Sequence, residues 1–309
     1  MEPQTRAGTC AIVGRPNVGK STLMNRLLGE KLAVVTPKPQ TTRNRILGVK
    51  NRPGAQLVLI DTPGIHRAKS SLNHYMVDQA LAAVAECDVV LCLVEAPRVA
   101  GAALAARAFD PGEGNRAILD ELGRVRRPRV LAINKVDLLH DKTALLPLVD
   151  GYARALPFDD IIPISAATGD GVDRLEEALA ARLPVSPPLF PEEMLTDRAE
   201  RFLAAELVRE QTYLLLEDEL PYSVAVTIES FEERAAKKDV VIDAVIHVER
   251  DSQKKIVVGE GGRMIKDIGT RARAEIGKLL DCPVHLRLHV KVDSDWTRDG
   301  RSLQRLGYD

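Results

Sequence analysis

The chain is short of the residues on which several functional classes depend. It holds four cysteines in 309 residues, Cys10, Cys87, Cys92 and Cys282, and none stands in a CxxC pair or at zinc-finger spacing. Disulfide scaffolds and cysteine-ligated metal centres are thereby excluded, and the pattern fits reduced, mostly buried thiols in a cytoplasmic protein. Aromatic residues make up 4% of the chain, with a single tryptophan, and none falls between Lys254 and Lys291, so a surface there would not work by stacking bases on rings. No apolar run reaches the length of a membrane span, and the opening MEPQTRAGTC lacks the apolar core of a signal peptide. Attachment to a membrane surface stays open. Net charge is −1, so any nucleic-acid footprint must be local. There is neither an internal repeat nor a low-complexity tract.

What is present suits a globular protein of two domains: 45% hydrophobic and 28% charged residues. In the first half, β-branched runs at TCAIVG (9–14), LVLID (57–61), DVVLCLVE (88–95), RVLAINK (129–135) and DIIPIS (160–165) read as buried parallel strands. Helical spacing between them, at Lys20–Leu28, Leu72–Glu86, Asn115–Leu122, Lys142–Ala155 and Gly171–Leu183, predicts an α/β domain over 6–184 with helices on both faces of a mostly parallel sheet. LPVSPPLFP (183–191) carries four prolines and predicts an extended linker over 185–195. Beyond it, a helix over Asp197–Glu217, two strand-like alternations, a glycine turn, a helix from Arg263 to about Leu280 and a last strand VHLRLHVKV predict an α+β domain over 196–309.

GRPNVGKS (Gly14–Ser21) follows a strand and opens a helix, the setting a phosphate-binding loop needs. Gly14, Arg15, Pro16, Asn17, Val18 and Gly19 would wrap the α- and β-phosphates, the residues other than Pro16 offering backbone N–H groups. Lys20 would reach the β- and γ-phosphates, and the Ser21 hydroxyl, followed by Thr22, would ligate Mg²⁺. DTPG (Asp61, Thr62, Pro63, Gly64) ends a strand, where Asp61 can hold Mg²⁺ through water and the Gly64 N–H can meet the γ-phosphate. In NKVD, Asp137 can accept from N1–H and the 2-amino group of guanine, a pair adenine does not offer. Asn134 can bond the base edge and the Lys135 stem can lie over the ring. SAA (Ser165, Ala166, Ala167) follows the next strand, with the Ala166 N–H set for the guanine carbonyl. All stand at carboxyl ends of strands, where open α/β sheets bind ligands. An ATP-dependent kinase would lack NKVD.

Lys20, Gly64, Thr42 and Asn17 are the candidate catalytic groups, with Ser21, Thr42 and Asp61 as candidate Mg²⁺ ligands. The position after the aspartate–glycine motif, where many GTPases carry a water-orienting glutamine, is Ile65, which cannot polarise water. Hydrolysis then rests on Mg²⁺, Lys20 and the loop Gln40–Thr41–Thr42, or on His66 as the water-orienting group. Asn17 has two readings: a turn residue that tolerates unusual φ/ψ, or a carbonyl donor to a monovalent cation beside the phosphates.

GRPNVGKST, QTTR, DTPGIH, NKVD and SAA, followed by the prolyl linker and VVGEGGRMIKDIGTRAR, resemble the Era family of bacterial GTPases from about Gly8 to Val292. The resemblance implies a Ras-like P-loop GTPase domain joined to a type II KH domain, binding of GTP and GDP, and binding of the 3′ end of 16S ribosomal RNA during maturation of the 30S subunit. It implies K⁺ at Asn17 beside Mg²⁺, matches the hydrophobic Ile65, and suggests a cytoplasmic monomer with an optional peripheral contact at the inner membrane. In KH domains a GxxG turn between two helices clamps the RNA backbone, here Gly259, Glu260, Gly261 and Gly262, with readout along Arg263, Met264, Ile265, Lys266 and Ile268 and support from Arg271. Glu260 stands where the family often has a base. From Lys254 to Lys291 nine basic residues face four acids, a surplus that would make RNA binding salt-dependent. Two rivals are an RNA scaffold with a vestigial GTPase half and a GTPase whose second domain binds protein. Glu95–Asn115 is longer than the family usually shows and reads as a loop or short helix, and Trp296 reads as a packing anchor.

Overall fold

The computed structural model describes residues 5–68, 70–97, 110–139 and 141–308. Most of the 95–115 segment lies outside them. The chain divides into two compact units. One takes the chain up to Ala33, Thr42–Arg67 and Met76–Asp197; the other takes Val34–Thr41, Ala68–Tyr75 and Arg198–Asp309. Two short segments inside the 6–184 span thus cluster with the C-terminal unit, which a boundary drawn at a proline-rich linker does not register.

The first unit is built on β1 (Arg6–Gly14), β2 (Ile46–Arg52), β3 (Ala55–Asp61), β4 (Val89–Glu95), β5 (Arg129–Asn134) and β6 (Asp160–Pro163), in the order β2-β3-β1-β4-β5-β6. All neighbours are parallel except β2 and β3. The inner strands are buried on both faces, which is why they read as unbroken apolar runs. The register sets Ile12 beside Asp61, Gly14 beside Leu93 and Glu95 beside Asn134, so the motifs end along one edge of the sheet. The sequence reading missed β2, whose apolar run is broken by Gly48 and Lys50. A Cβ on Gly48 would stand 2.6 Å from Leu28 and Met24, so glycine there lets helix α1 (Lys20–Leu28) approach. Further helices are α2 (Ser71–Glu86), α3 (Glu113–Gly123), α4 (Leu145–Ala155) and α5 (Val172–Arg182). The prolyl segment forms no helix, turns at Pro191–Met194, where Met194 N donates to Pro191 O at 3.1 Å, and is pinned. The buried Gln56 side chain bonds Leu189 N, Phe190 N and Phe190 O at 2.7–3.0 Å, and Val49 N donates to Leu195 O at 2.8 Å. It therefore covers the edge strand β2, which would otherwise offer unpaired backbone groups.

The second unit orders α6 (Glu200–Leu215), β7 (Ala225–Arg234), β8 (Asp239–Val248), α7 (Asp251–Val258), α8 (Arg263–Leu280), β9 (Val284–Val292) and α9 (Gly300–Arg305). Its sheet runs β7-β8-β9, the first pair antiparallel and the second parallel. Ile268, Ala272 and Ile276, one turn apart on α8, are fully buried with Val208, Ile242, Ile246 and Val257. The apolar run before the glycine turn is the last part of α7, a helix that the strand-and-helix reading of this region had not separated out. Its start is closed by Gln253, whose Oε1 accepts from Glu249 N at 2.8 Å and from Arg250 N at 3.1 Å. Trp296 is completely buried, stacks on Tyr308 with centroids 5.7 Å apart and donates Nε1–H to Ser223 O at 3.0 Å. Tyr308 meets Tyr75 edge to face, and Leu72 N donates to Thr297 O at 3.1 Å, so the C-terminal residues hold the start of α2. Among the described residues no helix is long and apolar enough to cross a membrane.

His247 on β8 lies between the Thr227 hydroxyl at 2.7 Å and the Asp293 carboxylate at 2.6 Å. Burial pushes its imidazole below the ordinary value of 6.5, against the pull of Asp293. The unfolded chain therefore binds a proton where the folded chain does not, and this group's contribution to stability is lost as pH falls through the ordinary imidazole value. Denaturant titrations at neutral and mildly acidic pH should record the loss, and His247→Gln should flatten it.

Candidate functional site

The loop after β1 passes closely under its neighbours, and its glycines sit where a side chain would collide. A Cβ on Gly14 would be 2.3 Å from Leu93 O, and on Gly19, at φ 101°, 2.4 Å from Asn134 Nδ2. Gly64, from the loop after β3, packs so tightly on Pro16 that a Cβ would stand 2.6 Å from its nitrogen. Asn17 holds a left-handed φ of 64°, and its carbonyl accepts from Lys135 Nζ at 2.8 Å. Arg15 packs over Gly114 at the start of α3, and Val18 is buried.

Lys20, Ser21 and Thr22 open α1. Lys20 is buried, with Nζ 3.1 Å from Arg15 O and 3.4 Å from Gly14 O. Burial pushes its ammonium down to about 8, and the Asp61 charge opposes that shift. Asp61 is fully buried at the end of β3; burial pushes its carboxyl up, while Lys20 and the Ser21 and Thr42 hydroxyls hold it down. Ser21 Oγ donates to Asp61 Oδ2 at 2.6 Å, Thr42 Oγ1 reaches the same oxygen at 3.1 Å, and the two hydroxyls are 2.9 Å apart. Asp61 Oδ1 is buried and meets no hydrogen-bond partner among the described residues. Two hydroxyls and a carboxylate with an orphaned oxygen form the hard, all-oxygen donor set that Mg²⁺ favours. Thr62 is turned the other way, its buried hydroxyl donating to Ile12 O at 2.7 Å, and Pro63 follows it. Ile65 lies in the core, with its N–H on Gly14 O at 3.1 Å; His66 Nδ1 is 2.7 Å from Gly64 O.

The NKVD and SAA loops meet through Asn134. Its Nδ2 donates to Val18 O at 2.7 Å and its Oδ1 accepts from Ala166 N at 2.9 Å, so one buried amide ties the phosphate loop to the SAA loop. The Ala166 N–H, assigned from sequence to a guanine carbonyl, is engaged there. Lys135 bridges Asn17 O and Glu95 Oε2, both at 2.8 Å. Asp137 is exposed on the single turn Val136–Leu138, and Ser165 Oγ accepts from Thr168 N at 3.1 Å. Arg26, which no motif marks, holds the SAA loop from α1 through Ala166 O and Ala167 O. Only its contacts single it out.

In the second unit, Gly259, Gly261 and Gly262 have φ of 73°, 58° and 80°, backbone that side chains rarely adopt, and a Cβ on Gly259 would stand 2.8 Å from Met264 N. The turn joins α7 to α8, with Glu260 and Arg263 exposed. Two hollows flank it. One, about 520 Å³, is lined by Asp251, Lys254, Lys255, Val258, Gly259 and Glu260. The other, about 410 Å³, lies between α8 and β9 and is lined by Ile265, Lys266, Gly269, Thr270, Arg273, Leu286 and Leu288. Ile268 is corrected here: it points into the core, because 268, 272 and 276 share the buried face of α8. Gly269, Thr270 and Arg273 line the groove in its place, and Arg271 is exposed outside its lining.

Residues 9–135 match the family model described as 50S ribosome-binding GTPase, and residues 219–297 match that of the KH domain. The chain is 51% identical over 308 residues to GTPase Era of Geotalea uraniireducens, covering 100% of this chain and 99% of that one. Among solved structures, an Aquifex aeolicus Era variant bound to GDP·AlF4− aligns with a TM-score of 0.90 at 39% identity, covering 98% of this chain and 99% of that one. An Era complex with MgGDPNP and nucleotides 1506–1542 of 16S ribosomal RNA aligns with a TM-score of 0.91 at the same identity and coverage.

Asn134→Ala should leave the Val18 carbonyl and the Ala166 N–H buried without partners and destabilise the nucleotide-free protein by about 1–3 kcal/mol. Chemical denaturation of the two proteins measures the difference.

Proposed function

The chain belongs to the GTPase Era family, and we propose that its N-terminal unit is a GTP-hydrolysing switch that governs how its C-terminal unit holds the 3′ end of 16S ribosomal RNA during maturation of the 30S subunit. The observation that carries this reading is the meeting of Ser21, Thr42 and Asp61 around one buried carboxylate, beside Lys20. The relatives' own ligands, MgGDPNP with 16S ribosomal RNA and GDP·AlF4−, support it. On this reading the protein is a cytoplasmic monomer.

The loop Gly14–Ser21 receives the phosphates on its backbone N–H groups, and Lys20 offsets the charge of the β- and γ-phosphates. The low-lying Lys20 pKa means that a bound polyphosphate would restore the ammonium by supplying negative charge. Ser21, Thr42 and Asp61 would hold Mg²⁺, which neutralises charge on the phosphates when bound. Asn17 would hold K⁺ with its side-chain carbonyl, a reading supported by its place in the loop and by the resemblance, while its left-handed φ also suits a turn residue. The Gly64 N–H would meet the γ-phosphate, in a loop pressed on Pro16. Ile65 lies in the core and cannot polarise water, so hydrolysis would rely on positioning by Lys20, Thr42 and Gly64. Asp137 selects guanine, and Asn134 and Lys135 brace the loop around the base.

In the C-terminal unit the glycine turn admits an RNA backbone, with Lys254 and Lys255 on one side and Lys266 and Arg273 on the other. The groove between α8 and β9 takes bases against Ile265, Leu286 and Leu288, without ring stacking.

Affinity for the 3′-terminal segment of 16S ribosomal RNA, measured with GDP and with a non-hydrolysable GTP analogue, should be markedly tighter in the analogue state and fall steeply with salt. Equal affinities in the two states would overturn the switch. Gly261→Asp should abolish binding. Asp137→Asn should weaken GTP at least about a hundredfold and favour xanthosine triphosphate, whose 2-oxo group accepts from the new amide.

A further inference from the structure

Segment Val34–Thr41 is gripped by one face of α6. Arg209, 1% exposed, donates Nη2 to Thr41 O at 2.6 Å, pairs with both Glu206 oxygens and lies over the Tyr213 ring. The Tyr213 hydroxyl donates to Gln40 O at 3.3 Å, and Glu210 Oε1 accepts from Val35 N at 3.2 Å. Lys38 Nζ donates to Tyr213 O at 2.7 Å and to Leu216 O, carbonyls at the C-terminal end of α6, where the helix dipole favours a cation. Glu206, Arg209, Glu210 and Tyr213 recur at helical spacing, so a stripe that would ordinarily be apolar is polar and turned onto a backbone segment.

A buried guanidinium is a poor way to stabilise a helix. An apolar side chain of the same volume often serves as well or better, and Arg209 Nη1 meets no acceptor among the described residues. Among the described residues, its hydrogen bond outside the helix goes to the Thr41 carbonyl. That carbonyl belongs to the peptide whose nitrogen is Thr42, and the Thr42 hydroxyl stands 2.9 Å from Ser21 Oγ and 3.1 Å from Asp61 Oδ2. One planar peptide therefore carries both the handle and the working residue.

We propose that Arg209 is a positioning residue for the nucleotide site, holding the Thr41–Thr42 peptide so that Thr42 is set for Mg²⁺·GTP and the state of that site is coupled to α6. The proposal rests on the reading of Thr42 as a ligand for Mg²⁺ with GTP.

The test compares Arg209→Met, Thr42→Ala and the double variant with the unaltered full-length protein, titrating a fluorescent GTP analogue and fluorescent GDP in Mg²⁺, with thermal melts as a folding control. Arg209→Met should weaken the analogue about tenfold, the worth of one charged hydrogen bond, and raise the Mg²⁺ needed for half-saturation, while GDP affinity stays within about twofold. The double variant should be no worse than Thr42→Ala alone, since both act through one group. If Thr42→Ala leaves the preference for the analogue intact, the reading of Thr42 fails. If Thr42→Ala removes it and Arg209→Met does not, or if the losses add, the role of Arg209 fails. Should Arg209→Met unfold the protein, Tyr213→Phe, which removes only the hydroxyl on Gln40 O, should give a smaller loss confined to the analogue, and an equal loss for GDP would overturn the proposal.

Discussion

Asp61 is fully buried at the end of β3, and one of its oxygens meets no hydrogen-bond partner among the described residues. Such a carboxylate is tolerable only beside compensating charge and donors. Lys20 supplies the charge, and the Ser21 and Thr42 hydroxyls supply the donors. They come from two stretches of chain: Lys20 and Ser21 from the first turn of α1, and Thr42 from the segment before β2. The loop can wrap only because Gly14 and Gly19 have no side chains, and Gly64 can reach Pro16 for the same reason. The architecture of the first unit follows as the set of elements that brings these groups to one edge of a sheet.

The brace around this centre is polar and indirect. Asn134 joins the phosphate loop to the SAA loop, Arg26 holds that loop from α1, and Lys135 links the phosphate loop to Glu95 on β4. Residues of a nucleotide motif are thus also struts, which separates their structural role from any contact with a base. A substitution at Asn134 acts on both, whereas Asp137, exposed on its short turn, carries little packing.

The C-terminal unit uses glycine differently. Gly261 and Gly262 have open space where a Cβ would lie, so their φ values alone require glycine, while Gly259 also makes room for Met264. A turn of this kind exposes backbone N–H groups at the start of α8, where an anion is favoured. The same unit includes Val34–Thr41, held by α6, and Ala68–Tyr75, where residues around Trp296 and Tyr308 hold the start of α2. Its core and its grip on these segments share α6, with Val208 turned inward and Arg209 turned onto Thr41.

The strands of the parallel sheet, the helix α8, the strand β9 and the phosphate, guanine and GxxG motifs were legible in the sequence because each is a local pattern: an apolar period, a strand followed by glycine and lysine, a carboxylate at a strand end. The antiparallel strand β2 was not, since its edge position and Gly48 leave a broken run whose place depends on α1. The inward turn of Ile268, the groove-lining Gly269, Thr270 and Arg273, the struts made by Arg26 and Asn134, and the capture of segment 34–41 and of the start of α2 were decided by tertiary structure alone. Each depends on which surface a distant element presents, and nothing within a few residues along the chain records that.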